Sequence, residues 1–141
     1  MPYIEHRAGQ AVTEQELEQR LTAATNGVIY LEGPDRCGKT ALLRRVAASR
    51  PDTKCLAAEA LTRVVLDTAR RRLDLEQVLS TPQASLLCLE EVDRLTGRIT
   101  SLEMLAEAVG ALGRTMPVVI TGRRLVGVLY VTPDAYYVYK N

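Results

Sequence analysis

Gly33-Pro34-Asp35-Arg36-Cys37-Gly38-Lys39-Thr40 reads G-x-x-x-x-G-K-T, the signature of a loop that cradles phosphates. The run before it, Val28-Ile29-Tyr30-Leu31-Glu32, predicts a β-strand. The run after it, Ala41 to Ala48, predicts a helix. Strand, glycine-rich loop and helix in that order suit the chemistry. The first N–H groups of a helix have no partners within it, and the helix dipole adds positive potential there. Gly33 and Gly38 let the chain curl with no Cβ in the way.

The expected nucleotide-binding positions are Gly33, Asp35, Arg36, Cys37, Gly38, Lys39, Thr40 and Ala41. Lys39 is expected to reach the β- and γ-phosphates, and the Thr40 hydroxyl to ligate Mg²⁺. Pro34 lacks an N–H but stands early in the loop. The competing readings are a chance match and a loop that has lost its ligand.

A second constellation lies downstream. Ser85-Leu86-Leu87-Cys88-Leu89 is a continuous apolar run, the pattern of a strand buried on both faces. It ends in Glu90-Glu91-Val92-Asp93. Acidic residues at the C-terminal edge of a parallel strand can hold Mg²⁺ through water and polarise an attacking water. Glu90 takes the metal-side role in this reading and Glu91 the water-activating role. The plainer alternative is a solvated acidic turn.

The 141 residues suffice for one domain with one core. A hydrophobic content of 47% and a charged content of 25% are ordinary for a globular protein. The net charge of +1 gives no bulk attraction to nucleic acid, so any basic surface must be local. No apolar run approaches the roughly 20 residues of a membrane span, and Met1 to Gln10 lacks signal-peptide character. Cys37, Cys55 and Cys88 lack metal-ligand spacing and fit a reduced cytoplasm. Cys55 and Cys88 are expected in buried strands. His6 is read as a solvated side chain.

Thr13-x-x-Glu16 is a capping box opening a helix that carries Leu17, Leu21 and Ala24 on one face, with Asn26-Gly27 ending it. Pro51-Asp52 marks a turn and Lys54 to Ala58 a second strand. Residues 60 to 73 read as an amphipathic helix whose outer face carries Arg63, Arg70, Arg71 and Arg72. A short helix is expected over Leu75 to Leu79. Thr100-x-x-Glu103, with Ile99 and Met104 as a staple, opens a helix burying Leu102, Leu105, Val109 and Leu112. Pro117 to Thr121 predicts another strand. Val126 to Val131 and Tyr136 to Tyr139 predict a C-terminal hairpin. Its tyrosines either pack on the sheet edge or offer a stacking surface to nucleic acid. Alternating strands and helices predict an α/β three-layer sandwich: a mostly parallel sheet of about five strands with helices on both faces.

The order of parts resembles the additional-strand class of P-loop ATPases, and within it the AAA+ core of the replication initiator DnaA and its Hda-like and helicase-loader relatives. The match runs from about Val28 to Arg124. Gly33 to Thr40 stands as Walker A and Leu86 to Leu95 as Walker B. Val118 to Arg124 is similar to the sensor-1 strand, with Thr121 in the sensor position. The resemblance implies a single nucleotide-binding domain over residues 1 to 141, taking ATP or ADP with Mg²⁺. Glu91, Glu90 and Thr121 would serve catalysis, and Thr40 and Glu90 would hold the metal. It also implies a part in replication initiation or its regulation, through contacts with an initiator, a helicase or a clamp, and self-association.

Two departures temper that. Glu90 stands where the family's Walker B usually has Asp, and one extra methylene moves the carboxylate by about 1 Å. No length remains after Arg124 for a helical lid. Weak hydrolysis or none is therefore expected. Arg123 and Arg124 are candidates for a partner-facing role. Val28 to Thr40 also looks like the P-loop of thymidylate kinases, but no D-R-Y-type motif follows the second strand. A nucleoside monophosphate kinase, and a degenerate P-loop module without nucleotide, are the alternatives. Direct DNA contact through the arginines of residues 63 to 72 is a weaker reading.

Overall fold

The computed structural model describes residues 2–57, 84–95, 99–125 and 135–140. Seven strands are described: β1 (Tyr3–Glu5), β2 (Ala11–Val12), β3 (Val28–Glu32), β4 (Thr53–Ala57), β5 (Leu86–Glu90), β6 (Val118–Gly122) and β7 (Tyr136–Tyr139). The helices are α1 (Glu14–Ala23), α2 (Lys39–Ser49) and α3 (Ile99–Leu112), with a 3₁₀ turn over Val92–Leu95. The strands form one sheet in the order β2-β1-β7-β3-β6-β5-β4. From β7 to β4 every pairing is parallel, and β1 and β2 add antiparallel pairings at one side.

Strand alternation sorts the core into two layers. Ile29, Leu31, Leu86, Cys88, Val119 and Val138 face Leu17 and Leu21 of α1 and Leu42, Leu43 and Val46 of α2. Tyr30, Leu87, Leu89, Val118, Ile120 and Tyr137 face Leu105 and Val109 of α3. Both faces of each central strand are buried, as their unbroken apolar runs predict. The sandwich is therefore the expected one, its five parallel strands extended by two.

Those two strands were not legible in the sequence. Residues 1 to 12 carry no strong pattern, yet Gly9 at φ +66 closes a tight turn and donates to the Glu5 carbonyl at 2.8 Å. The hairpin this creates docks on β7, with Ile4 opposite Tyr139. Consequently β7 is an interior strand between β1 and β3, and the C-terminal tyrosines do not line a sheet edge. Tyr137 stacks on Tyr30 with ring centroids 5.6 Å apart. The first arm of the predicted C-terminal hairpin, the helix of residues 60 to 73 and the short helix after it lie outside the described residues.

One local expectation needs correction. Cys55 is exposed, because β4 is the outermost described strand on its side, whereas Cys88 is buried. The side chains of the Thr100–Glu103 capping box and its staple lie outside the described residues. Thr13 does cap α1, accepting from the Glu16 N–H at 3.1 Å.

The other end of α1 is held by Arg50, a residue that no motif singles out. Arg50 donates to the carbonyls of Leu21, Thr22 and Ala24 at 3.1, 3.3 and 2.7 Å. It also reaches Ser85 Oγ at 3.0 Å and the Ser85 carbonyl at 2.9 Å. The last carbonyls of a helix have no intrahelical donor, and a cation there also meets the negative end of the dipole. One guanidinium thus ties α1 to the start of β5. Arg50→Ala should lower the unfolding free energy by about 2–3 kcal/mol, given the strength of charged hydrogen bonds. Arg50→Lys should recover only part of that, lacking the planar fork. Urea denaturation of the three proteins measures both.

Candidate functional site

The loop between β3 and α2 is fixed at its root by both neighbouring strands. Gly33 N donates to the Gly122 carbonyl at 3.0 Å, and Lys140 N to the Glu32 carbonyl at 2.8 Å. Gly38 takes φ +105 at the start of α2, a left-handed conformation that glycine reaches without strain. A Cβ on Gly33 would stand 2.6 Å from Cys37 Sγ, so only glycine lets the thiol fold across the loop's neck. Asp35, Arg36, Thr40 and Ala41 are exposed, and Cys37 is half-buried.

Lys39 is buried, with a relative exposure of 5%. Its ammonium donates to the Gly33 carbonyl and, at 3.2 Å, to the Pro34 carbonyl. Glu91 Oε1 lies 3.9 Å away. Glu91 takes φ +58, an uncommon conformation for a residue with a side chain. Its N–H is held by the buried Thr121 hydroxyl at 3.1 Å. So Lys39, Glu91 and Thr121, read from three separate stretches of sequence, come together as one chain of contacts.

Glu90 faces elsewhere. It continues the Leu86 and Cys88 side of β5, toward α2. Burial raises its pKa, and the neighbouring Glu91 charge raises it further, against a smaller lowering by Arg44. Arg44 is one turn along α2 from Thr40, on the same helix face. The Glu90 carboxylate thus feels the charge of a residue on the helix that Thr40 helps to open. No hydrogen bond joins Glu90 and Thr40 among the described residues. A hydroxyl and a carboxylate are donors of the kind Mg²⁺ takes, since it usually has one or two protein ligands and fills its shell with water and phosphate oxygen.

Four further residues at the loop escaped the sequence reading. Lys140 Nζ donates to Glu14 Oε1 at 2.6 Å and to the Cys37 carbonyl at 3.1 Å. The Lys140 hydrogen bond lowers the Glu14 pKa. Glu32 accepts from Leu125 N at 2.7 Å and from the Tyr137 hydroxyl. Asp93 accepts from Arg123 N at 3.2 Å. Arg123 itself turns back onto the molecule, with Nη1 3.8 Å from Asp35 and Nε 3.6 Å from Asp93. Its side chain is 55% exposed all the same. None of these contacts has a sequence signal, because each joins residues far apart in the chain.

No protein-family model matches the chain, and no curated protein matches it. Solved structures do. A DNA replication initiation factor superposes with a TM-score of 0.57 at 17% identity, over 86% of this chain and 39% of that one. Domain III of the Thermotoga maritima replication initiation protein DnaA gives 0.56 at 15% identity, over 79% and 49%. AMPPCP-bound DnaA from Aquifex aeolicus gives 0.59 at 16%, over 89% and 43%. The chain has the mixed α/β fold of the AAA+ nucleotide-binding domain found in these structures, and it spans less than half the length of each.

The Glu90 environment yields a pH prediction. A carboxyl whose pKa is raised on folding binds more protons in the folded than in the unfolded state between the two pKa values. Stability therefore falls as pH rises through that window. Glu90→Gln should raise stability at pH 7 by less than about 1 kcal/mol, since the group is half-exposed and screened. The gain should vanish below the unfolded carboxyl pKa of about 4. Thermal melts of both proteins from pH 3.5 to 7 check the sign.

Proposed function

We propose that this chain is a nucleotide-binding domain of the DnaA-like ATPase class, taking ATP or ADP on the loop Gly33–Thr40. The observation that carries the reading is the buried Lys39 ammonium at the neck of a glycine-rich loop, facing a Glu91 carboxylate anchored by Thr121. A buried cation beside unpartnered helix N–H groups is suited to a polyphosphate. Lys39 would neutralise charge on the β- and γ-phosphates. Thr40 and Glu90 would hold Mg²⁺, whose contribution is to screen the phosphate charge. Glu91 would orient water, with Thr121 fixing the backbone from which it projects.

Strand order supports the ATPase reading over the kinase one. Strand β6 lies between the loop strand β3 and the acidic strand β5, which is the additional-strand arrangement. Glutamate rather than aspartate at residue 90 supports weak hydrolysis or none. The structural likeness to replication initiators lends support to a role in replication initiation or its regulation, through an initiator, a helicase, a clamp or a second copy of this chain. A single domain in a reduced cytoplasm completes the proposal.

Calorimetric titration with ATP and ADP in Mg²⁺ tests it. The wild type should bind both, and Lys39→Ala should weaken binding at least about 100-fold, the loss of a charged contact in a buried site. Absence of binding in the wild type would leave a degenerate module. Phosphate release should be slow in the wild type, and Glu90→Asp should raise it if carboxylate reach limits turnover. ADP formation with a panel of nucleoside monophosphates would instead establish the kinase.

A further inference from the structure

We propose that Arg123 is the residue by which this site distinguishes a nucleoside triphosphate from a diphosphate; this rests on the nucleotide-binding reading above. The guanidinium stands between two carboxylates of unlike character. Asp93 is fixed: its side chain is 8% exposed, and Oδ2 accepts the Arg123 N–H at 3.2 Å. Its Oδ1 is buried with no hydrogen-bond partner among the described residues. A Cβ on Gly122 would come within 2.9 Å of that oxygen, so the end of β6 is shaped to admit Asp93. Asp35, by contrast, is an exposed member of the phosphate loop.

Asp35 is an anion placed where further anions are to bind. Arg123 compensates it at 3.8 Å, and the pair is more than half exposed on each side. Exposed pairs at such separations hold weakly, whereas guanidinium and phosphate pair in a planar, bidentate and stronger fashion. A terminal phosphate held by Lys39 would lie near the end of β6, where Thr121 and Gly122 lead into Arg123. Arg123 then passes from Asp35 to that phosphate while its backbone stays on Asp93. A diphosphate presents no group at that place and leaves the Asp35 pair intact. Without Arg123, Asp35 stands uncompensated and repels the third phosphate.

Calorimetry with ATP and with ADP, both in Mg²⁺, separates the outcomes. Arg123→Ala should weaken ATP at least about tenfold, as loss of a charged hydrogen bond does, and leave ADP within about twofold. Arg123→Lys should fall between, and Asp35→Asn combined with Arg123→Ala should regain only part of the ATP affinity, because the repulsion is relieved but the guanidinium contact stays lost. Equal losses for ATP and ADP, or no loss for either, would overturn the assignment while nucleotide binding stands. If the wild type binds neither nucleotide, the failure lies with the nucleotide-binding reading and Arg123 falls with it.

Discussion

A lysine ammonium taken out of water must find acceptors, because an uncompensated buried charge costs several kcal/mol. Lys39 finds two carbonyls of its own loop and one carboxylate. Satisfying it demands that Gly33 and Pro34 turn their carbonyls inward and that β5 end with Glu91 at the right depth. The first condition is met by the sharp turn between β3 and α2. The second is met by the Thr121 hydroxyl on β6, which holds Glu91 in a left-handed conformation that costs about 1–2 kcal/mol in isolation. The parallel registry of three strands thus converges on one ammonium.

The same loop is gripped from its outer side by the ends of the chain. Tyr3 is fully buried behind it, with the Lys140 ammonium 4.9 Å from its ring centroid. Burial raises the Tyr3 pKa, as does the neighbouring Cys37. Glu14, at the start of α1, takes Lys140 and Arg45 together. Its carboxylate would be an unfavourable neighbour for a phosphate loop if it were left unpaired. Paired, it anchors α1, α2 and the end of β7 at one point, and the loop inherits the rigidity of all three.

Charge is divided between the two sides of the acidic strand's end. Glu90 looks toward Arg44 and the start of α2, whereas Glu91 looks toward Lys39. Glu90 is the last residue of β5, whereas Glu91 lies past it at φ +58, and that left-handed turn of the backbone carries its carboxylate to Lys39. Two adjacent carboxylates can therefore serve different chemistry without competing for one cation.

The sequence by itself determined the α/β sandwich, the position of the loop between β3 and α2, and the acidic end of β5. Each is a local signal: an apolar run, a glycine spacing, a cap at Thr13. It also paired the right stretches, since Lys39, Glu91 and Thr121 meet as the order of motifs implied. Only the tertiary structure decided that the first twelve residues form a hairpin covering β7, that Cys55 is exposed, and that Arg123 closes on Asp35 and Asp93. Those outcomes depend on which strands become neighbours. Periodicity reports whether a residue is turned inward along its own element, but it carries no information about the element on the far side.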